Sequence, residues 1–82
     1  MPRLVHVAPR PGLRLYLEFD DGTQGEVELA SRIRGPMFEP LRDPAYFAQV
    51  RLAPHDAPEW PNGLDLAPDA LHERLRGLRP AA

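Results

Sequence analysis

The sequence predicts an α+β fold: a small antiparallel sheet of three to five strands, its apolar face covered by short helices. Three observations carry this. Two strictly alternating segments flank an Asp-Asp-Gly reversal. A proline follows an aspartate at the start of a short apolar segment, Asp43-Pro44. Near the end, Leu71, Leu75 and Leu78 recur at i, i+4 and i+7, one stripe of an amphipathic helix.

The elements follow in order. Leu4–Ala8 reads as a short strand closed by Pro9-Arg10-Pro11-Gly12, where prolines and glycine mark a turn. Leu13–Phe19 alternates with Leu13, Leu15, Leu17 and Phe19 on one face and Arg14, Tyr16 and Glu18 on the other, a half-buried strand. Gln24–Leu29 alternates again, with Gly25, Val27 and Leu29 inward. A two-residue Asp21-Gly22 loop would set Phe19 against Gln24. A three-residue loop, Asp20-Asp21-Gly22, instead opposes Leu17 to Gly25, Leu15 to Val27 and Arg14 to Glu28, so it is preferred, with Gly22 left-handed.

Ala30–Pro36 loses all period and reads as a connector, and 37–41 takes an irregular path with apolar anchors. Asp43–Val50 predicts a short helix with Asp43 as N-cap and Pro44 at the first helical position; Leu41, Phe47 and Val50 point inward. Val50–Leu52 and Glu59-Trp60 are brief extended pieces around a Pro-rich loop, and Pro61-Asn62-Gly63 is a turn. The last helix spans Pro68 to Leu78, with Asp65 or Ala67 as its N-cap, Asp69 near its positive end and Arg74, Arg76 and Arg79 near its negative end.

Composition narrows the chemistry. The 82 residues make one domain, 1–82, with 12 acidic and 10 basic residues and a formal charge of −2, which gives no general attraction to nucleic acid or anionic lipid. There is no cysteine, and every basic residue is arginine, so thiolate and Schiff-base nucleophiles are absent. Ser31 and Thr23 are the sole serine and threonine, and neither lies in a nucleophile elbow. No phosphate-binding glycine loop, signal-peptide pattern or membrane-length apolar run is visible, and the expected setting is the cytoplasm.

No residue stands out as catalytic, and neither cofactor nor metal is expected. His6, His55 and His72 are widely spaced and form no i, i+4 ligand pair; His55-Asp56 reads as an exposed pair in a loop. Asp20 and Asp21 suit a tight turn. Glu18, Glu26 and Glu28 share the outer face of the hairpin and compose an acidic surface for a basic partner. Arg74, Arg76 and Arg79 compose a basic one. Phe19, Phe38, Phe47 and Trp60 read as core, not as a stacking platform for single strands.

Phe19-Asp20-Asp21-Gly22, then Phe38-x-x-Leu41-x-Asp43-Pro44-x-x-Phe47, then Trp60-Pro61-Asn62-Gly63-x-Asp65-Leu66-x-Pro68-Asp69-x-Leu71 occur in this order. Over residues 4 to 72 the chain thereby resembles the small bacterial domain-of-unknown-function 2442 family, the tryptophan segment being the specific part. The resemblance implies an α+β fold and no established activity or catalytic residues. Some relatives carry a helix-turn-helix domain after this one; no such domain is expected here, so the DNA-binding role it would imply is not carried over. Others are encoded beside small proteins of toxin–antitoxin type, which implies a regulatory or partner-binding role.

Function is therefore expected to be non-catalytic: a protein-interaction or regulatory module, antitoxin-like within a two-protein system, with a protein partner or a second copy of itself. Two alternatives stand beside it. One is a nucleic-acid-associated regulator using the arginines of the last helix. The other is a small-ligand or catalytic domain around the His55 and Trp60 loops.

Overall fold

The computed structural model describes residues 2–30, 35–36 and 38–78. Strands β1 (Leu4–Arg10), β2 (Arg14–Phe19) and β3 (Gln24–Glu28) form an antiparallel sheet in that order. A short 3-10 helix (Glu39–Arg42) leads into helix α1 (Pro44–Phe47). Strands β4 (Arg51–Leu52) and β5 (Pro58–Glu59) make a second, two-stranded sheet, and helix α2 (Pro68–Leu78) closes the fold. This is the α+β arrangement expected. No helix among the described residues is long and apolar enough to cross a membrane.

The β2–β3 register is the expected one: Leu15 opposes Val27, Leu17 opposes Gly25 and Arg14 opposes Glu28. Leu15, Leu17, Phe19 and Val27 are buried on the inner face, so a one-residue slip would expose all of them. The loop has three residues. Phe19 N–H donates to Thr23 O at 2.8 Å, Gly22 N–H donates to Phe19 O at 3.1 Å, and Thr23 N–H donates to Asp21 Oδ1 at 2.9 Å. Gly22 has φ +88°, as the reversal demands.

The same bonds recur downstream. Trp60 N–H donates to Leu64 O at 2.9 Å, Gly63 N–H to Trp60 O at 2.9 Å and Leu64 N–H to Asn62 Oδ1 at 3.0 Å. Between β4 and β5, Ala53 N–H donates to Ala57 O at 2.8 Å and Asp56 N–H to Ala53 O at 2.9 Å, with Asp56 at φ +63° in the glycine's place. His55 fills the position that Asp21 and Asn62 hold in the other two loops. Its side chain is thus the one not folded back onto the loop amide.

Several boundaries differ from expectation, while α2 begins at one of its two expected N-caps. β1 continues through Pro9 and Arg10, because it is an edge strand and a proline costs it no ladder bond on the solvent side. Leu13 lies in the β1–β2 turn at φ +56°, although its carbonyl still accepts Leu29 N–H at 2.9 Å. α1 is a single turn: it is capped by Asp43, whose Oδ1 accepts Ala45 N–H at 3.0 Å, but the chain then tightens through Gln49 N–H to Tyr46 O and Val50 N–H to Phe47 O. At the start of α2, Ala67 O accepts the first helical bond from Leu71, so Ala67 and not Asp65 holds the N-cap position.

The core lies between the inner sheet face and the helices. α2 brings Leu71 and Leu75 onto β3, where Gly25 (φ +154°) leaves room: a Cβ there would sit 3.1 Å from Leu75 Cδ2. Trp60 is fully buried, tilted against Phe47 at 5.7 Å between ring centroids, and its indole N–H donates to Phe47 O at 3.0 Å. Met37, residues 31–34 of the connector and Arg79 lie outside the described residues, as does the Leu78 side chain.

Candidate functional site

The outer face of the three-stranded sheet carries Glu18, Glu26 and Glu28 among the polar side chains singled out in the sequence. Tyr16 stands at its centre on β2. Its hydroxyl donates to Glu18 Oε1 at 2.6 Å, and the Gln24 amide oxygen lies 3.2 Å from the same hydroxyl. The bond to Glu18, then burial, then the charge of Glu18 hold the phenol above its ordinary pKa, against the opposing pull of Arg10. The Arg10 guanidinium lies 5.1 Å from the ring centroid and His6 meets the ring edge-on at 6.0 Å. Glu26 sits between Arg10 and Arg14, 3.6 Å from each.

This geometry changes the charge expected there. Glu18 and Glu26 are both engaged by neighbours on the face, and Arg14 lies opposite Glu28, so the surface is mixed and not simply acidic. The arginines of α2 are also engaged. Arg74 donates to the Glu28 backbone carbonyl at 3.0 Å, tying the helix to the edge of β3, and Arg76 lies 3.9 Å from Glu73. The expected basic surface thus reaches toward its own chain, and Arg79 lies outside the described residues.

Two histidines find carboxylates far from their sequence neighbours. His72 is buried on α2, edge-on to Phe19 at 4.8 Å, and its Nε2 lies 2.9 Å from Asp21 Oδ2 in the β2–β3 loop. A carboxylate only accepts, so Nε2 carries the proton. The Thr23 amide first, and the His72 ring second, hold Asp21 at about 2, below its ordinary 3.8. His55 pairs with Asp65 at 2.8 Å and not with Asp56, which takes Arg3 at 3.0 Å. Glu59 lies beside this pair and receives Arg51 at 2.6 Å. Trp60, next in sequence, is buried with its indole N–H satisfied, and it forms part of the wall of a surface hollow shared with Arg51, Glu59, Pro61 and Gly63.

A family model described as protein of unknown function (DUF2442) matches residues 4–77, nearly the whole chain. The chain belongs to the DUF2442 family. No curated protein and no solved structure matches it. The segments on which the DUF2442 resemblance rests are structural in this chain. Phe19–Gly22 and Trp60–Gly63 lie in loops with the same hydrogen bonds, Asp43-Pro44 starts α1, and Phe47 and Leu71 are core. One of these segments has a second role, since Asp21 also holds His72.

The Asp21–His72 contact joins residues 51 apart, and no local signal announces it; only the buried placement of α2 against the hairpin brings them together. Its consequence is a pH dependence of this DUF2442 domain. Because the folded-state pKa of Asp21 is depressed, its contribution to stability is complete above about 3.8 and is lost as the pH falls through about 2. Urea midpoints measured across that acid range should fall more steeply for the natural chain than for Asp21→Asn. Parallel curves would refute the assignment.

Proposed function

We propose that this protein is a non-catalytic interaction module whose partner protein docks on the outer face of the β1–β2–β3 sheet. The supporting observation is the arrangement around Tyr16, where one aromatic ring is framed by Arg10, His6, Glu18 and Gln24. Tyrosine and arginine carry a large share of binding energy at protein interfaces. Here they are already held by hydrogen bonds and ion pairs, which reduces the ordering cost of association. Val5, one of two exposed large apolar side chains among the described residues, lies in β1 at the bulge between Leu4 and His6. The partner class implied by the family resemblance is a small toxin-like protein encoded alongside, with this chain as its antitoxin-like member in the cytoplasm. Nucleic-acid contact has less support, because Arg74 and Arg76 face groups of their own chain.

The test is co-expression with the products of flanking genes, followed by co-purification and sedimentation. A defined complex should form with the natural chain. It should be lost in Arg10→Glu/Tyr16→Ala, which still melts cooperatively because both side chains lie on the solvent side of the sheet. A complex indifferent to that double substitution would remove this face as the docking surface. A chain that remains a partnerless monomer would remove the reading altogether.

A further inference from the structure

We propose that His55, Glu59 and Asp65 form a binding site for a divalent metal ion of the zinc type. One ligand atom from each residue lies within 4.8 Å of the others. Spacing along the chain conceals the group, since the histidine sits in a loop, the glutamate ends β5 and the aspartate follows the next turn. The fold brings them together. Glu59 and Asp65 oppose each other in an antiparallel bridge, and Leu66 N–H donates to Pro58 O at 3.1 Å on the same side. Pro58 and Trp60, which flank Glu59, are both buried, so the backbone that presents the carboxylate is anchored in the core.

The electrostatics favour a cation. Like charges directly opposite across a pair of strands repel, and Glu59 and Asp65 are such a pair. Arg51 addresses Glu59, with Nη2 at 2.6 Å and Nε at 3.1 Å from Oε1 alone. The His55 ring addresses Asp65, with Nε2 2.8 Å from Oδ2. With His55 neutral, the set of Glu59, Asp65 and Arg51 carries one net negative charge. A dication in place of the His55 Nε2 proton would satisfy both acids.

The donor set fits zinc. One imidazole nitrogen and two carboxylate oxygens are borderline-to-hard ligands, and three protein ligands with a water in the fourth position is a familiar zinc arrangement. Tetrahedral coordination places neighbouring ligand atoms about 3.3 Å apart. The His55–Asp65 distance therefore opens by a fraction of an ångström between two exposed side chains, and the proton moves to Nδ1. Arg51, also exposed, either keeps Oε1 while Oε2 ligates or swings into solvent.

Zinc chloride titrated into the whole chain at mildly alkaline pH, followed by calorimetry and by thermal melting, tests this. We expect one ion bound per chain, with a raised melting temperature. His55→Ala and Asp65→Asn each weaken binding by at least about tenfold, and both keep the natural circular dichroism because the altered side chains are exposed. His6→Ala, on the other sheet, binds as the natural chain does. Arg51→Ala binds at least as tightly, since it loses a competing cation. Absence of saturable binding, binding that survives His55→Ala, or equal loss in His6→Ala would each overturn the proposal.

Discussion

Leu15→Asp should leave a chain with no cooperative thermal or urea transition. Leu15 lies on the central strand of the three-stranded sheet, fully inaccessible, with equally buried Val27 opposite it on β3. An ionised carboxylate there faces apolar neighbours, and the described inner face supplies it no cation. Burying such a group unpaired costs several kcal/mol even after relaxation or protonation, and the leucine's own burial, about 1.5–3 kcal/mol, is lost as well. Domains this small lie toward the lower end of the usual stability of about 5–15 kcal/mol. The loss is therefore comparable to the whole. Circular dichroism against temperature checks it, and a sigmoidal melt near that of the natural chain would contradict the placement of β2.

The second large effect is expected at Trp60. Trp60→Ala empties the largest buried side-chain volume among the described residues, at a cost of about 3–5 kcal/mol. It also removes the indole N–H from the Phe47 carbonyl, which keeps only the longer bond from Val50 N–H at 3.3 Å; a lost hydrogen bond of this kind adds about 0.5–1.5 kcal/mol. Trp60→Phe helps to separate the two contributions, because it removes the donor while keeping a buried aromatic ring. Urea denaturation should place Trp60→Phe between the natural chain and a barely folded Trp60→Ala. Midpoints for both variants within experimental error of the natural chain would show that the Trp60–Phe47 contact does not hold the second hairpin to α1.

What could be read from the residues, and what could not, divides along the range of the interaction. The β2–β3 register followed from alternation and from matching Arg14 to Glu28, both local properties. The bounds of α2 followed from its leucine spacing and Pro68, and the start of α1 from Asp43-Pro44. Pro9 signals a turn by its residue type, whereas the edge strand β1 accepts it. The site residues were harder. Alternation places Glu18 and Glu26 on one face, but the charge of that face depends on Arg10, which reaches from β1 across β2 to Glu26 and the Tyr16 ring. His72 and Asp21, and likewise His55, Glu59 and Asp65, are partners only because separate elements pack as they do. The one sequence hint for the latter was a histidine standing where a loop of this kind elsewhere has Asp or Asn.

The three matching loops, at 20–22, 54–56 and 61–63, bear on how the molecule assembles. Each joins residues only four apart by main-chain bonds, so these reversals form without a long search through the coil. Short-range hairpins of this sort arise within microseconds in isolated peptides. What must then be found by diffusion is the docking of ready-made corners on one another, through Trp60 against Phe47 and through α2 against the sheet. Speed of renaturation is accordingly governed at those two seams, and a residue far out on any of the corners can change how firmly the finished protein holds without changing how fast it is reached.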